Sequence, residues 1–137
     1  MIIYNFENDF KLAFEHLISD WITFVIDQED KELGEINYIF CDDEYLLDIN
    51  IKELKHNTLT DIISFDYGVG DLISGDIFIS TERVADNAAS FNTAFTDELH
   101  RVMVHGVLHY CGYKDKTDDE KKLMRSKEDY YLSLRTF

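Results

Sequence analysis

The 137-residue sequence contains no proline, only two cysteines, and no apolar run long enough to cross a membrane. The absence of proline implies few rigid turns and points to no particular function. The N-terminus lacks a basic segment followed by a long apolar run, which argues against a signal peptide. Cys41 and Cys111 are too far apart in sequence to form a metal-binding pair, so we expect two reduced thiols in a cytoplasmic protein.

Positive charge is also scarce, and it is unevenly distributed. The chain has 13 Lys and Arg against 28 Asp and Glu, a formal net charge of −15. Residues 1–100 carry 5 basic and 22 acidic side chains, whereas residues 101–137 carry 8 and 6. Nonspecific binding to nucleic acid is therefore disfavoured over most of the surface, and a polyanion is expected near the C-terminal third.

Length and composition fit one globular domain that covers residues 1–137. A charged turn is predicted at 27–34 and a Gly-rich turn at 68–71. Hydrophobic periodicity predicts strands at 1–6, 35–41, 60–67 and 74–80, the last two antiparallel. Helices are predicted after an Asn8 or Asp9 cap, at 45–54, from 81, from a Thr96 cap to about 111, and from 117 or 118. This order predicts an α+β fold: a mixed sheet of about four strands packed with helices, in which the metal-binding helix precedes a C-terminal helix.

The strongest chemical pattern is the run His105-Gly-Val-Leu-His-Tyr-Cys-Gly-Tyr-Lys-Asp115. Residues four apart lie on one face of a helix, so His105 and His109 can direct both imidazoles to one point. Gly112 can end the helix in a left-handed conformation and return Asp115 to the same point. Two nitrogens and one carboxylate oxygen leave a fourth position open, as in catalytic zinc sites. We therefore predict that His105, His109 and Asp115 bind one Zn²⁺ and that the two histidines are catalytic.

The ligand spacing matches that of metzincin peptidases, which carry a glutamate directly after the first histidine as the general base. Here that position is Gly106, so a peptidase would lack its base. A bound metal would still acidify a water molecule and polarise a carbonyl or phosphoryl oxygen. Each metal-bound imidazole should donate its other N–H to an acceptor, and Glu98, on the same helical stripe, is a candidate for that role.

Several segments of the chain resemble the YbeY-type endoribonucleases, the rRNA maturation factors. The run from His105 to Tyr113 resembles the family's His-Gly-x-Leu-His-x-x-Gly-Tyr signature. Asn50 and the segment 60–65 resemble its Asn…Thr-Asp-Val-Leu-Ser-Phe pattern, and the segment 75–77 resembles its Gly-Asp-Ile strand. The remaining similar positions are Glu98, Glu120, Met124 and Glu128.

This resemblance implies an α+β fold, a bound zinc ion and cleavage of single-stranded RNA. It implies a role in maturing the 3′ end of small-subunit ribosomal RNA and in ribosome quality control. The expected partners are ribosomal RNA and the small ribosomal subunit, with a ribosome-associated GTPase or a ribosomal protein in addition and no membrane. Asp61 and Ser64, near the end of a strand, are expected to line the cleft.

Two positions depart from the family's pattern. The family signature continues Gly-Tyr-Asp-His, and its last histidine is usually the third ligand, whereas Asp115 stands there in this chain. A carboxylate is an acceptable zinc ligand, although this harder donor shifts the preference towards manganese or iron. Asp118 or Asp119 is an alternative ligand. The second departure is Leu54, which stands where the family usually has an arginine.

The phosphate-binding cation therefore remains open. Lys55 is a candidate catalytic cation, and Lys52 and His56 are candidates for contact with RNA. A lysine is a point charge and lacks the two-pronged geometry with which arginine binds phosphate. A second basic group is a candidate for tracking the RNA backbone: Lys114, Lys116, Lys121, Lys122 and Arg125.

Three hypotheses for the function follow. The first is a metal-dependent, single-strand-specific endoribonuclease that acts on ribosomal RNA precursors. The second is a non-catalytic ribosome-assembly protein with a structural metal, which the missing arginine and the net charge of −15 favour. The third is a metallohydrolase of another substrate such as a peptide, against which Gly106 argues.

Overall fold

A computed structural model describes residues 1–54 and 59–137 of the chain. These residues form four strands and five helices. In chain order they are β1 (Ile2–Phe6), α1 (Glu15–Gln28), β2 (Glu32–Cys41), α2 (Asp43–Leu54), β3 (Ile62–Asp66), β4 (Leu72–Ser80), α3 (Thr81–Phe91), α4 (Phe95–Tyr110) and α5 (Asp118–Ser133).

The strands form one sheet in the order β1-β2-β4-β3. β1 pairs with β2, and β2 with β4, in parallel, whereas β3 pairs with β4 antiparallel. A short turn suffices to join an antiparallel pair, and the segment 67–71 supplies it here. The α+β fold, the mixed sheet of four strands and the antiparallel pairing of the last two strands are confirmed.

Helices cover both faces of this sheet. On one face, Ile22 of α1 and Met103 of α4 are buried with Tyr38 of β2, whose hydroxyl donates a hydrogen bond of 2.8 Å to the carbonyl oxygen of Met103. On the other face, Leu46 of α2 is buried against Ile63 of β3. Alternate residues of a strand point to opposite faces, so the two apolar clusters lie on opposite sides of the sheet. α4 is thereby anchored firmly against the sheet along its buried side.

The first helix begins later than predicted. Asn8 does not cap it, because the Asn8 side chain accepts a hydrogen bond from the backbone N–H of Phe10 and donates to Asp42 and Thr81. An asparagine that bonds to the backbone two residues ahead forms a tight turn. The helix starts only at Glu15, so the predicted start was wrong.

Several other boundaries differ from the sequence prediction by about two residues, and two of these differences concern the sheet and the helix with the histidines. β2 begins at Glu32, which pairs with Leu72 of β4, so the charged turn predicted at 27–34 extends too far. The helix with the histidines begins at Phe95 rather than after a Thr96 cap. In both cases the element gains its first residues from packing and strand pairing that local sequence signals do not report.

α5 begins where the sequence predicts. The Thr117 hydroxyl accepts a hydrogen bond from the Glu120 backbone N–H, and the Glu120 carboxylate accepts one from the Thr117 backbone N–H. This reciprocal pair satisfies two backbone donors at the helix start. None of the helices formed by residues 1–54 and 59–137 is long and apolar enough to cross a membrane.

Candidate metal centre

Three side chains converge where α4 ends. His105 and His109 lie one turn apart on α4, and their Nε2 atoms are 2.9 Å from each other. Gly112 has a φ of 106°, in the left-handed region, and turns the chain back as predicted. Asp115 Oδ2 consequently lies 3.2 Å from His105 Nε2 and 3.5 Å from His109 Nε2. The structure therefore brings together the three predicted ligand residues.

The hydrogen bond made by Nδ1 of each imidazole determines whether its Nε2 carries a proton. His105 Nδ1 lies 2.6 Å from Glu128 Oε2, and His109 Nδ1 lies 2.9 Å from the backbone carbonyl oxygen of Tyr113. Both partners are acceptors, so Nδ1 carries the proton and each neutral ring presents an unprotonated Nε2. With Asp115 Oδ2, three acceptor atoms converge without a donor among them, and a cation stabilises such an arrangement.

A proton can neutralise part of this group in place of a metal. Burial by itself would lower the pKa of His105, but the hydrogen bond and charge of Glu128, together with the charges of Asp115 and Asp61, raise the pKa above its usual value. Because a metal-bound imidazole must give up the proton on the ligating nitrogen, protonation and metal binding compete at His105.

The spacing of the three acceptor atoms fits a tetrahedral metal site. Ligand atoms that lie about 2.0–2.1 Å from a tetrahedral zinc ion are roughly 3.3 Å from one another. The three distances here are 2.9, 3.2 and 3.5 Å, which scatter around that value. Three protein ligands leave the fourth position for water or substrate, as in catalytic zinc sites.

Glu128 of α5 holds His105 in this orientation and is itself held by Arg101. Glu128 is only 4% exposed, and its Oε1 accepts a hydrogen bond of 2.9 Å from Arg101 Nη1. Arg101 Nη2 donates a second bond, of 2.7 Å, to Asp129. The acceptor predicted for a metal-binding histidine was Glu98, and this was wrong. Glu98 lies seven residues before His105 on α4, about two helical turns away, and Glu128 occupies the position beside Nδ1.

Tyr113 supports His109 and connects it to the end of α1. The carbonyl of Tyr113 accepts from His109, while its hydroxyl donates a hydrogen bond of 2.6 Å to Glu29 Oε1. Tyr131 donates its hydroxyl to Glu29 Oε2, and Lys127 Nζ lies 3.5 Å from that oxygen. Although burial acts to raise it, these donors hold the pKa of Glu29 below its usual value. A charged Glu29 therefore joins α1 and α5 to the loop that carries Asp115.

The three converging residues line a cleft of about 500 Å³. This is within the roughly 300–1,000 Å³ of ordinary ligand sites. Asp61 and Ser64 also line the cleft, as the sequence predicts, and Glu98 lines it too. Burial raises the pKa of Asp61, and burial with the nearby charge of Asp61 raises the pKa of Glu98. The lining is therefore rich in carboxyl groups held in a partly dehydrated setting.

The lysines predicted to contact RNA do not line the described part of this cleft. Lys52 is exposed on α2, and its ammonium lies 3.0 Å from the carboxylate of an aspartate one turn earlier. Lys114 and Lys116 are exposed in the loop that leads to α5. Lys55, predicted as catalytic, and His56 lie outside the described residues.

Two arginines line the described part of the cleft instead. Arg101 is engaged by Glu128 and Asp129. Arg125, which belongs to the predicted C-terminal basic group, is exposed on α5. Sequence reasoning did not single out Arg101, because its two carboxylate partners lie on another helix.

Gly106 packs closely on the sheet beneath the histidines. A Cβ atom at this position would lie 3.1 Å from the Cδ1 atoms of Ile62 and Ile77, which is tighter than ordinary contact. A glutamate in the place of the metzincin base would therefore require the Ile62 and Ile77 side chains to shift by a few tenths of an ångström. The close packing at Gly106 therefore disfavours that peptidase arrangement, in addition to the missing carboxylate.

Sequence reasoning missed the supporting roles of Glu128, Arg101, Tyr113 and Glu29. One local signal was present: Met124, Glu128 and Tyr131 recur at helical spacing and are buried on α5. A carboxylate on the buried stripe of a helix needs a partner, so the stripe itself points to a buried polar site. Nothing local in the sequence indicates that the partner is His105.

Comparison with known proteins gives a consistent result. A family sequence model described as Endoribonuclease YbeY matches residues 3–135. The endoribonuclease YbeY of Flavobacterium johnsoniae is 60% identical over 134 residues, which cover 98% of this chain and 96% of that protein. That of Bacteroides thetaiotaomicron is 48% identical over 117 residues, or 85% of each chain.

The fold comparison agrees with the sequence comparison. The solution structure of a Thermotoga maritima protein superposes with a TM-score of 0.69 at 25% identity, covering 97% of this chain and 87% of that one. The family match extends over all of the residues named above in the metal centre and its supports. The chain belongs to the endoribonuclease YbeY family.

Proposed function

We propose that this protein is a metal-dependent endoribonuclease that cleaves single-stranded segments of ribosomal RNA precursors. The observation that carries the proposal is the convergence of His105, His109 and Asp115 as three acceptors at 2.9–3.5 Å in an open cleft. The relatives named above, endoribonucleases by name, match over most of the chain and support the same activity.

The proposed cofactor is one Zn²⁺ held by these three residues. When bound, such an ion supplies a Lewis acid that lowers the pKa of a coordinated water and draws charge from a phosphoryl oxygen. Glu128 and the Tyr113 carbonyl keep the proton on Nδ1 of each histidine, so that Nε2 remains free to coordinate. Asp61 and Glu98 border the cleft with raised pKa values and are candidates to exchange a proton with a bound phosphodiester.

The proposal extends to the biological setting. The protein would act as one domain, residues 1–137, in the cytoplasm. It would bind ribosomal RNA and the small ribosomal subunit, with a ribosome-associated GTPase or a ribosomal protein as a further partner. Family membership supports this setting, because rRNA maturation and ribosome quality control are the roles that the resemblance implied.

Cleavage of a defined RNA by purified protein tests the activity. With Zn²⁺ supplied, we expect the wild type to cut a single-stranded RNA faster than a duplex, and His105→Ala to lose that activity. His16→Ala is the matched control, because the His16 side chain is 89% exposed on α1 and does not line the cleft. Equal cleavage by wild type and His105→Ala would refute the proposal.

Elemental analysis tests the ligand set. We expect about one zinc per wild-type chain and a clear loss in Asp115→Ala, because two histidines alone bind zinc weakly. Asp118→Ala, which alters the first residue of α5, should retain its metal. Unchanged metal content in Asp115→Ala would show that another residue is the third ligand.

The acidity of the cleft favours one alternative, a ribosome-assembly protein whose metal is structural. Four carboxyl groups line the described part of the cleft, from Asp61, Glu98, Asp115 and Glu128, against two arginines. This alternative predicts that His105→Ala still associates with the small subunit if it folds, and that no RNA is cut by the wild type. Metal-dependent cleavage by the wild type alone would exclude it.

A further inference from the structure

The cleft combines an acidic wall with one exposed aromatic ring. Phe91, the last residue of α3, is 57% exposed, yet it lines the same cleft as His105 and His109. α3 and α5 both pack against α4, which carries the two histidines. Phe91 thus approaches the metal centre from α3, while Arg125 approaches it from α5.

The position of Phe91 at the end of α3 leaves its ring open on the side of the cleft. Asn92, directly after Phe91, has a φ of 55° and ends α3, so the ring is carried at a helix end. No ring stacking is found for Phe91 within residues 1–54 and 59–137, whereas Phe10 and Phe40 pack against other aromatic rings. The Phe91 ring therefore keeps a face that is available to a ligand in the cleft.

Arg125 is the complementary polar feature. The other arginine of the cleft, Arg101, has its guanidinium engaged by Glu128 and Asp129 at 2.9 and 2.7 Å. Within the described part of the chain, Arg125 forms no hydrogen bond or ion pair and remains exposed on α5. The charge of Arg125 acts on the Glu98 carboxyl, but no hydrogen bond joins the two side chains. The guanidinium N–H groups can therefore bind a phosphate oxygen in pairs.

We propose that Phe91 and Arg125 form a nucleotide subsite beside the metal centre, in which an unpaired base stacks on Phe91 and a backbone phosphate binds Arg125. Aromatic side chains bind the faces of bases that are not stacked in a helix, so such a contact selects single-stranded RNA over a duplex. The inference rests on the proposed endoribonuclease function and identifies the residues that would give it strand selectivity. It also explains how an acidic cleft can bind a polyanion, since stacking adds affinity without positive charge.

Steady-state cleavage of a 12-nucleotide single-stranded RNA, compared with a hairpin containing the same target in its stem, tests the base contact. Phe91→Ala should lower kcat/KM on the single strand by roughly 5- to 150-fold, the equivalent of about 1–3 kcal/mol for one stacked base. The loss should appear mainly in KM. Because the paired target in the stem presents no free base face, its cleavage should change less, and the preference for single strands should fall.

Three further variants separate stacking from other effects. Phe91→Trp should retain the single-strand preference, because indole also stacks, whereas Phe91→Leu should lose it despite remaining apolar. Phe24→Ala removes an exposed phenylalanine that borders a separate depression on α1, so it should leave both rates unchanged. A 2-aminopurine base in the RNA gives an independent readout, since its fluorescence is quenched when it stacks.

The phosphate contact has its own signature. Arg125→Gln should raise KM about tenfold or more and make the fall of log kcat/KM with log salt shallower by about 0.7, the value for one contact to a single strand. Lys11→Gln is the matched control: it removes one exposed positive charge near a different pocket and should keep the wild-type salt slope.

The outcomes distinguish this inference from the proposed function. If the wild type cleaves single-stranded RNA and Phe91→Ala and Phe91→Leu do so with the same KM and the same strand preference, the subsite is refuted while the nuclease stands. If the wild type neither binds nor cleaves RNA, both are refuted. A selective loss in Phe91→Ala and Phe91→Leu, with recovery in Phe91→Trp, supports the stacking subsite.

Discussion

Replacing Glu128 with glutamine should weaken metal binding although Glu128 is not itself a ligand. Each of its two carboxylate oxygens accepts one hydrogen bond. Oε2 lies 2.6 Å from His105 Nδ1, and Oε1 lies 2.9 Å from Arg101 Nη1. Glutamine keeps the volume but offers one oxygen and one NH₂ group. If the oxygen faces His105, the NH₂ meets the Arg101 donor. If the oxygen faces Arg101, the NH₂ favours the His105 tautomer with its proton on Nε2, the ligating atom.

The size of the effect follows from the role of the lost contact. Removing the acceptor behind a metal-bound histidine typically reduces metal affinity 10- to 100-fold, which is about 1.4–2.7 kcal/mol. Glu128 is 4% exposed, so solvent cannot replace the missing acceptor, and we expect a value in this range. Asp129→Asn is the matched control. It breaks the other Arg101 bond, but its carboxylate is 59% exposed and exposed pairs contribute only about 0.2–1 kcal/mol to stability.

Competition with a chromophoric zinc chelator at constant pH measures the affinity, and thermal unfolding of the metal-free proteins reports any loss of fold. Glu128→Gln should bind zinc at least tenfold more weakly than the wild type, and Asp129→Asn should match the wild type. The reasoning is refuted if folded Glu128→Gln binds zinc within a factor of about two of the wild type, or if both variants lose the same affinity.

Two further predictions concern groups outside the ligand set. Glu29→Gln should weaken zinc binding severalfold in the same chelator assay, because the Tyr113 hydroxyl loses a charged acceptor and the Tyr113 carbonyl positions His109; unchanged affinity would contradict this. Burial and the charge of Arg135 lower the pKa of His100 from 6.5 to about 4. As the pH falls, His100 therefore binds a proton in the unfolded chain before it does so in the folded chain. The contribution of His100 to the free energy of unfolding is complete above about pH 6.5 and falls by about 3 kcal/mol as the pH drops to about 4. Denaturant unfolding across this range should show a smaller fall in His100→Gln and the full fall in the exposed-histidine control His16→Gln; parallel curves for all three proteins would refute it.

Much of the fold could be predicted because its signals are local. Alternation of apolar residues predicted most of the second strand, and the Gly-rich turn at 68–71 predicted the antiparallel pair around it. The side chain of Asn8 shows where such signals fail. Its residue type and its position before an apolar helical pattern suit a helix cap. Its amide instead donates to Asp42 and Thr81, and only the parallel pairing of distant strands brings these two residues near Asn8. Start positions that depend on such contacts cannot be read from local patterns.

In the candidate site, too, local patterns predict some residues, whereas others depend on tertiary packing. The positions of His105, His109 and Asp115 follow from one helix and one turn, so their convergence could be predicted from spacing alone. The acceptor for His105 comes from a different helix, 23 residues further along the chain. No periodicity relates α4 to α5, and Glu98 was the best local choice. The residues that hold ligands in place depend on tertiary packing, and for that reason sequence reasoning missed them.

The proposed third ligand, Asp115, also affects how the cleft can hold RNA. Zinc with three neutral histidines would carry two positive charges, whereas the Asp115 carboxylate would leave one. The Glu128 charge is offset by Arg101, but Asp61 and Glu98 still border the cleft. The phosphodiester would therefore meet a weaker positive field than in a three-histidine site, and contacts that do not depend on charge become more important. An exposed ring such as Phe91 supplies one of these, so Asp115→His should make RNA cleavage less dependent on that ring.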